Sequence, residues 1–160
     1  MQHFLRSLIL AVALVGCGFL NAGAASVAGR TFLSTGVTVA GAPRSLETGT
    51  RIRLVFGANG DFGAQAGCNT MGGTYRIDGA TLRIENAGIT EMGCDAKLMA
   101  QDDWLFELLG SGLTATLSGN DLTLQAGDSI LRFLDREIAE PDLPLVGPTW
   151  TVTTDRKSVV

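Results

Sequence analysis

The sequence predicts a mainly β, α+β domain: a strongly curved antiparallel β-sheet or partly closed β-barrel covered by one α-helix. Three observations predict it. Short runs of alternating apolar and polar residues recur between turn signals through most of the chain. Twenty-one glycines against four prolines supply tight turns, which favours short strands over long helices. The hydrophobic period changes to that of a helix between Asp95 and Leu109.

The chain begins with a leader. Arg6 is followed by Leu8-Ile9-Leu10-Ala11-Val12-Ala13-Leu14-Val15, the layout of a bacterial export signal with an apolar stretch short for a membrane span. Two cleavage sites compete within residues 1–24. Leu14-Val15-Gly16-Cys17 has the form of a lipobox, which makes Cys17 the lipidated first residue of a membrane-anchored lipoprotein. Ala22-Gly23-Ala24 fits ordinary cleavage after Ala24, giving a soluble periplasmic or secreted protein. Loss of the leader removes Arg6 and leaves 11 basic against 16 acidic residues. An acidic chain with scattered arginines offers no basic footprint for phosphate backbones, so no nucleic-acid partner is expected.

The expected domain covers residues 27–135. An opening strand runs through Thr31, Phe32 and Leu33 to Val37 and Val39, with a loop at Gly41-Ala42-Pro43. In Arg51 to Phe56, Ile52, Leu54 and Phe56 share one face and the arginines the other. Asn59-Gly60 supplies a hairpin turn, and the return strand points Phe62, Ala64 and Ala66 one way. Gly67 to Tyr75 then reads as a tight connection, with Asn69 suited to left-handed backbone and Gly72-Gly73 to a turn. A hairpin through Asp78-Gly79 follows, with Tyr75, Ile77, Leu82 and Ile84 on the buried face.

The helix is capped by Asp95 and ended by Gly110. Its apolar face is Leu98, Met99, Leu105, Phe106 and Leu109, and its exposed side Lys97, Gln101, Asp102, Asp103 and Glu107. Strands at Leu113–Leu117, Leu122–Leu124 and Ile130–Leu134, joined by Gly119-Asn120-Asp121 and Gly127-Asp128, complete a meander. The helix is expected to cover the sheet's open side, because an uncovered apolar face aggregates. Residues 136–145 form an acidic, Pro-containing linker. Gly147-Pro148-Thr149-Trp150-Thr151-Val152-Thr153 then repeats the pattern of Gly29-Arg30-Thr31-Phe32-Leu33-Ser34-Thr35, so residues 146–160 read as the start of a second, truncated copy of the domain or as a strand completing the first.

With these elements laid out, the stretch from about Ala28 to Asp135 resembles the META domain, the family of the HslJ heat-shock protein. The residues that carry the resemblance are Gly67-Cys68-Asn69, Gly73-Thr74-Tyr75, the Gly79 to Leu82 hairpin, Thr90-Glu91-Met92-Gly93-Cys94 and the helix opening Leu98-Met99-Ala100-Gln101-Asp102. Leu122-Thr123-Leu124 and Leu131-Arg132-Phe133 complete them. The resemblance makes Gly67, Asn69, Gly73, Tyr75 and Thr90 family-motif positions. It implies a small antiparallel β structure with a helix, found in bacterial envelope proteins. Some relatives are linked to heat shock or drug tolerance and some to motility, and the family has no agreed reaction.

If Cys17 carries lipid, Cys68 and Cys94 are the two cysteines left, and in an exported chain they most simply form a disulfide. Such a bridge restricts the unfolded chain by roughly 3 to 4 kcal/mol in the loop-entropy model. The other reading is a reactive thiol, for which the chain has neither Cys-x-x-Cys spacing nor a nearby histidine.

The single histidine, His3, lies in the leader, so the domain has no means of building a Ser-His-Asp triad, a Cys-His pair or an imidazole metal site. Carboxylate chemistry through Asp102, Asp103 and Glu107 is weighed against a solvated helix face, which is the commoner meaning of such a stripe. The acidic linker lacks the regular spacing of a calcium loop, and Gly57, Gly60 and Gly63 are hairpin glycines with the wrong spacing for a dinucleotide. No catalytic residue, metal or cofactor is expected. Trp104, beside the acidic stripe, is either edge packing or an exposed aromatic anchor for a partner or ligand. The expected function is a non-catalytic envelope module that binds another envelope protein; the rival is a carrier holding a small apolar ligand inside a curved sheet.

Overall fold

The computed structural model describes residues 26–142 together with 144 and 146. The leader, Cys17 and the second copy of the strand motif from Gly147 onward lie outside the described residues. Eleven elements follow one another: β1 (Arg30–Val39), β2 (Ala42–Pro43), β3 (Arg53–Phe56), β4 (Asp61–Gln65), β5 (Thr70–Asp78), β6 (Thr81–Ile89), α1 (Ala96–Gly110), β7 (Leu113–Ser118), β8 (Asp121–Ala126), β9 (Ser129–Asp135) and α2 (Arg136–Ala139).

Each strand from β3 onward pairs antiparallel with the next, and β9 returns to pair with β1 from Phe32↔Asp135 to Val39↔Ser129, which closes the sheet into a barrel. The two-residue β2 folds back onto the end of β1, at the loop expected around Pro43. Closure leaves fewer open strand edges, which is how an antiparallel sheet of short strands avoids pairing with other chains. β6 and β7 share only the pairs Thr81↔Thr114 and Leu82↔Leu113. There the connection is α1 in place of a hairpin, and α1 packs along β6.

Strand alternation fills the barrel. Phe32, Ile52, Leu54, Phe56, Leu82, Leu113, Leu122, Leu124, Leu131 and Phe133 are almost wholly removed from water. Phe56 makes edge-on contacts with Phe32, Phe62 and Tyr75, at ring-centroid distances of 5.9, 5.4 and 5.1 Å, a geometry suited to aromatic quadrupoles. The expected inward faces of β3, β4 and the residues flanking them are the observed ones: Ile52, Leu54 and Phe56 on one, Phe62, Ala64 and Ala66 on the other.

Several expectations are corrected. Ile77, opposite the buried Leu82, is 43% exposed, because β5 has there run past β4, whose pairing ends at Asp61↔Thr74, whereas Leu82 is also paired with Leu113 of β7. Asp95 does cap α1, accepting a hydrogen bond from the Lys97 N–H, but Gly110 is still helical and the left-handed turn comes at Gly112, with φ of 79°. Met99 is exposed, while Gln101 and Asp102, expected on the solvated side, are buried with Leu105 and Leu109. The buried stripe of α1 is therefore half polar. Among the described residues no helix is long and apolar enough to cross a membrane.

The opening of the expected linker is ordered against the barrel. Asp135 caps the single turn α2 by accepting from the Glu137 N–H, and Glu140 pairs with Arg51 at 2.9 Å.

Candidate functional site

The buried polar residues of α1 are explained by the chain they face. Gly67-Cys68-Asn69 leaves β4 as an irregular segment whose amides have no strand partner. Asp102, fully buried, supplies one: its Oδ2 accepts from the N–H groups of Cys68 at 3.0 Å and Asn69 at 2.7 Å. One residue earlier, the Gln101 side-chain amide donates to the Ala66 carbonyl at 2.7 Å and to the Thr50 hydroxyl at 2.9 Å, while its oxygen accepts from the Glu47 N–H at 2.7 Å. Adjacent side chains of α1 thus hold the 47–50 loop and the exit of β4 together. Buried amides left unpaired cost about 1–3 kcal/mol each, which is why polar side chains displace apolar ones on this stripe.

Helix and segment meet closely at Gly67. A Cβ there would stand 3.2 Å from the Leu98 carbonyl and 3.3 Å from Asp102 Oδ1, so a side chain would push α1 away. That Oδ1 oxygen is buried and accepts from no group among the described residues.

Asn69 works through its side chain. Its Oδ1 accepts from the Thr90 hydroxyl at 2.9 Å and the Met92 N–H at 2.8 Å, and the Thr70 N–H donates to the Thr90 hydroxyl at 3.1 Å. These bonds fix the loop after β6 against the start of β5. The expectation of a left-handed turn at Asn69 is corrected, since its φ is not positive. Gly72 and Gly73 are likewise not turn residues but lie inside β5. At Gly73 a Cβ would come within 2.7 Å of the Glu85 carbonyl, at the point where the β5–β6 register shifts. Close approach, not turn geometry, requires glycine there.

Cys68 and Cys94 are disulfide-bonded across 26 residues, with Cα atoms 6.4 Å apart. Cys68 is buried and Cys94 exposed one residue before the helix cap, so the bridge ties the barrel corner to the entrance of α1. Tyr75 is half-buried; its hydroxyl donates to the Gly57 carbonyl at 3.1 Å, and burial pushes its phenol pKa up. Gly67, Asn69 and Thr90 therefore converge on one corner, while Gly73 meets β6 and Tyr75 the neighbouring β3–β4 loop.

Two further polar sites lie elsewhere. At the end of β9, Asp135 pairs with the Arg30 guanidinium at 2.6 Å; the other guanidinium nitrogens reach the Gly119 carbonyl and Asn120 at 3.1 and 3.0 Å. Burial raises the Asp135 pKa, but the Arg30 and Glu137 hydrogen bonds and the charges of Arg30 and Arg136 outweigh it and hold the carboxyl below its usual range. On α1, Trp104 is half-buried against the core, and the Arg44 guanidinium stacks on its ring at 4.1 Å. It also walls a surface groove of about 340 Å³ with Glu107, Leu108, Ser111, Ala126, Asp128 and Ser129. Asp103 and Glu107 are exposed, as expected of the acidic stripe, and Asp102 alone is drawn inward. Among the described residues no three metal-ligating side chains cluster.

A model of the META domain matches residues 25–137. The chain belongs to the META domain family. The match spans the whole barrel and stops within α2. Among curated proteins none matches. Of solved structures, the META barrel is similar to an NMR structure of a protein from Burkholderia xenovorans, with 18% identity over 68% of this chain and 83% of that one and a TM-score of 0.57. A second NMR structure gives 22% identity, coverage of 66% and 88%, and a TM-score of 0.52. A crystal structure of a DUF4847 family protein from Bacteroides vulgatus gives 16%, 68% and 93%, with a TM-score of 0.49. At these identities the first two share the fold.

Sequence reasoning missed Gln101 and Asp102 as the residues that organise the corner. Their signal was present: Gln101, four positions before Leu105, and Asp102, seven before Leu109, stand at the helical spacing of the apolar stripe and interrupt it.

Proposed function

We propose that this META protein is exported, anchored to the envelope membrane by lipid on Cys17, and acts there as a non-catalytic binding module related to envelope stress. The observation that carries the reading is the use made of Asp102. The most deeply buried carboxylate of the acidic stripe is committed to two backbone amides, and Gln101, Asn69 and Thr90 are committed likewise. These polar groups hold the barrel's surface loops in place, which suits a rigid recognition surface. Side chains fill the barrel interior, so the apolar-carrier reading gains no comparable support.

Two experiments test it. Cys17→Ser should abolish incorporation of labelled fatty acid and move the protein to the soluble fraction; unchanged fractionation without label in the parent would remove the lipid anchor. Crosslinking in native membranes followed by affinity capture should recover a reproducible envelope partner, whereas turnover in a broad hydrolase screen would replace binding with catalysis.

A further inference from the structure

The two ends of the Cys68–Cys94 bridge differ in their access to solvent. Cys68 is 8% exposed, whereas Cys94 is exposed, as is every residue from Glu91 to Lys97. The bond therefore runs outward, from a shielded sulfur to one at the surface. Thiol–disulfide exchange begins when a thiolate attacks one of the two sulfurs, and access decides which. Here the approach to Cys94 is the open one, and Cys68 is placed as the leaving group.

A second observation separates this bridge from one whose loss unfolds its domain. The junction that it spans is also crossed by hydrogen bonds: Asp102 Oδ2 holds the Cys68 and Asn69 amides, and Asn69 Oδ1 holds the Thr90 hydroxyl and the Met92 N–H. Beyond Cys94, the Asp95 carboxylate accepts from the Lys97 N–H at 2.9 Å and the Asp95 carbonyl from the Met99 N–H at 3.1 Å. Cutting the S–S bond thus frees the short stretch Gly93-Cys94 between points that stay fixed. The leaving sulfur also has a partner in place. The Met92 carbonyl lies 3.8 Å from Cys68 Sγ, within reach of a hydrogen bond from a Cys68 thiol.

We infer that Cys94 Sγ is a thiol-exchange site, at which a dithiol reductant opens the bridge while the barrel stays folded. One thiolate of the reductant attacks Cys94 Sγ and forms a mixed disulfide as the Cys68–Cys94 bond breaks. The electron pair of that bond leaves on Cys68, which takes a proton from solvent. The reductant's second thiolate then attacks the reductant's own sulfur in the mixed disulfide, closing a disulfide within the reductant and releasing Cys94 as a thiol. Two electrons pass from the dithiol to the bridge; each attacking thiol gives up a proton and each departing sulfur takes one back. Cys94 is the electrophile, so the absence of Cys-x-x-Cys spacing and of a nearby histidine is no obstacle, because the activated thiolate belongs to the reductant. The inference goes beyond the binding reading and holds whatever the barrel binds.

The test uses the full chain carrying Cys17→Ser, without denaturant, so that Cys68 and Cys94 are the only cysteines. Dithiothreitol should open the bridge at a rate proportional to its concentration, read by alkylation and mass spectrometry, while the aromatic bands of the near-ultraviolet circular dichroism stay native. Oxidised glutathione should then restore the bridge. To locate the attacked sulfur, a brief pulse of reduced glutathione is quenched in acid and mapped by peptide mass spectrometry. The glutathionyl group should sit on Cys94 in roughly tenfold excess over Cys68. No opening, or a rate that ignores dithiothreitol concentration because unfolding must come first, would overturn the proposal. So would loss of the aromatic bands on reduction, or glutathionyl found on Cys68 as often as on Cys94.

Discussion

Asp102 and Asp135 are both buried, and the barrel satisfies them in different ways. Asp135 meets a guanidinium, with Arg30 2.6 Å away and Arg136 adding charge. Asp102 meets no cation; it is a template on which two backbone amides are laid. The first arrangement joins the two ends of the barrel wall, β1 and β9, through charge. The second joins a helix to an irregular loop through shape, and depends on Gly67 letting them approach. An ion pair responds to pH and tolerates adjustment of long side chains. A carboxylate holding backbone tolerates no such adjustment, because the two amides fix where its oxygen must stand.

Breaking the Asp102 end should have the largest effect. Asp102→Ala strips the acceptor from two buried amides, each costing about 1–3 kcal/mol when unpaired, so urea unfolding should report a loss of about 3 kcal/mol or more. Asp102→Asn keeps an acceptor of the same shape and should lose less. An Asn variant as unstable as the Ala variant would mean that charge, not acceptor geometry, holds the corner.

Next comes the covalent tie at the same corner. Replacing Cys68 and Cys94 with alanine should cost about 2–4 kcal/mol while leaving the near-ultraviolet circular dichroism native, because the Asp102 and Gln101 bonds still define the loop path. Loss of that spectrum would make the bridge, not the hydrogen bonds, the organiser. Gly73→Ala should cost about 2 kcal/mol, since the Glu85 carbonyl stands where the methyl must go, whereas Gly72→Ala, with open space around it, should fall within about 0.5 kcal/mol in thermal melts. Equal melting of the two would refute the close approach of β5 and β6.

The Asp135 end sharpens the contrast through pH. Its native pKa is lowered, so its stabilisation is fully present above the unfolded carboxyl value of about 3.9 and is lost as pH falls through the lower native value. Against an Asp135→Asn variant, the wild type should hold an advantage of about 1–2 kcal/mol near neutrality that fades in acid. Denaturant midpoints across that range measure it; an advantage unchanged in acid would contradict an ion-pair origin. Smallest of all, Asp103→Asn on the exposed face of α1 should change stability by no more than about 0.5 kcal/mol.

Much of the barrel was legible because strand alternation is a local property. The faces of β3 and β4, the hairpins at Gly60, Gly79, Gly119 and Gly127, and the Asp95 cap need only neighbours in the chain. The Cys68–Cys94 tie was reachable by counting cysteines. The reading failed where a residue's partner lies far along the chain. Asp102 looks solvated on a helical wheel and is buried only because the amides of Cys68 and Asn69, more than thirty residues away, require an acceptor. Ile77 follows the alternation yet is exposed, because β5 outruns its neighbour β4 there.

The sequence by itself determined the fold class, the order of the main strands and α1, the acidic character and the family, since each rests on periodicity, composition or a short motif. Only the tertiary structure decided that the barrel closes through β1 and β9, that Asn69 and Gly73 serve contact instead of turning, and that Trp104 faces a groove with Glu107 and Asp128. These depend on which distant backbone groups and side chains come within hydrogen-bonding or contact distance. A local pattern carries no record of that distance.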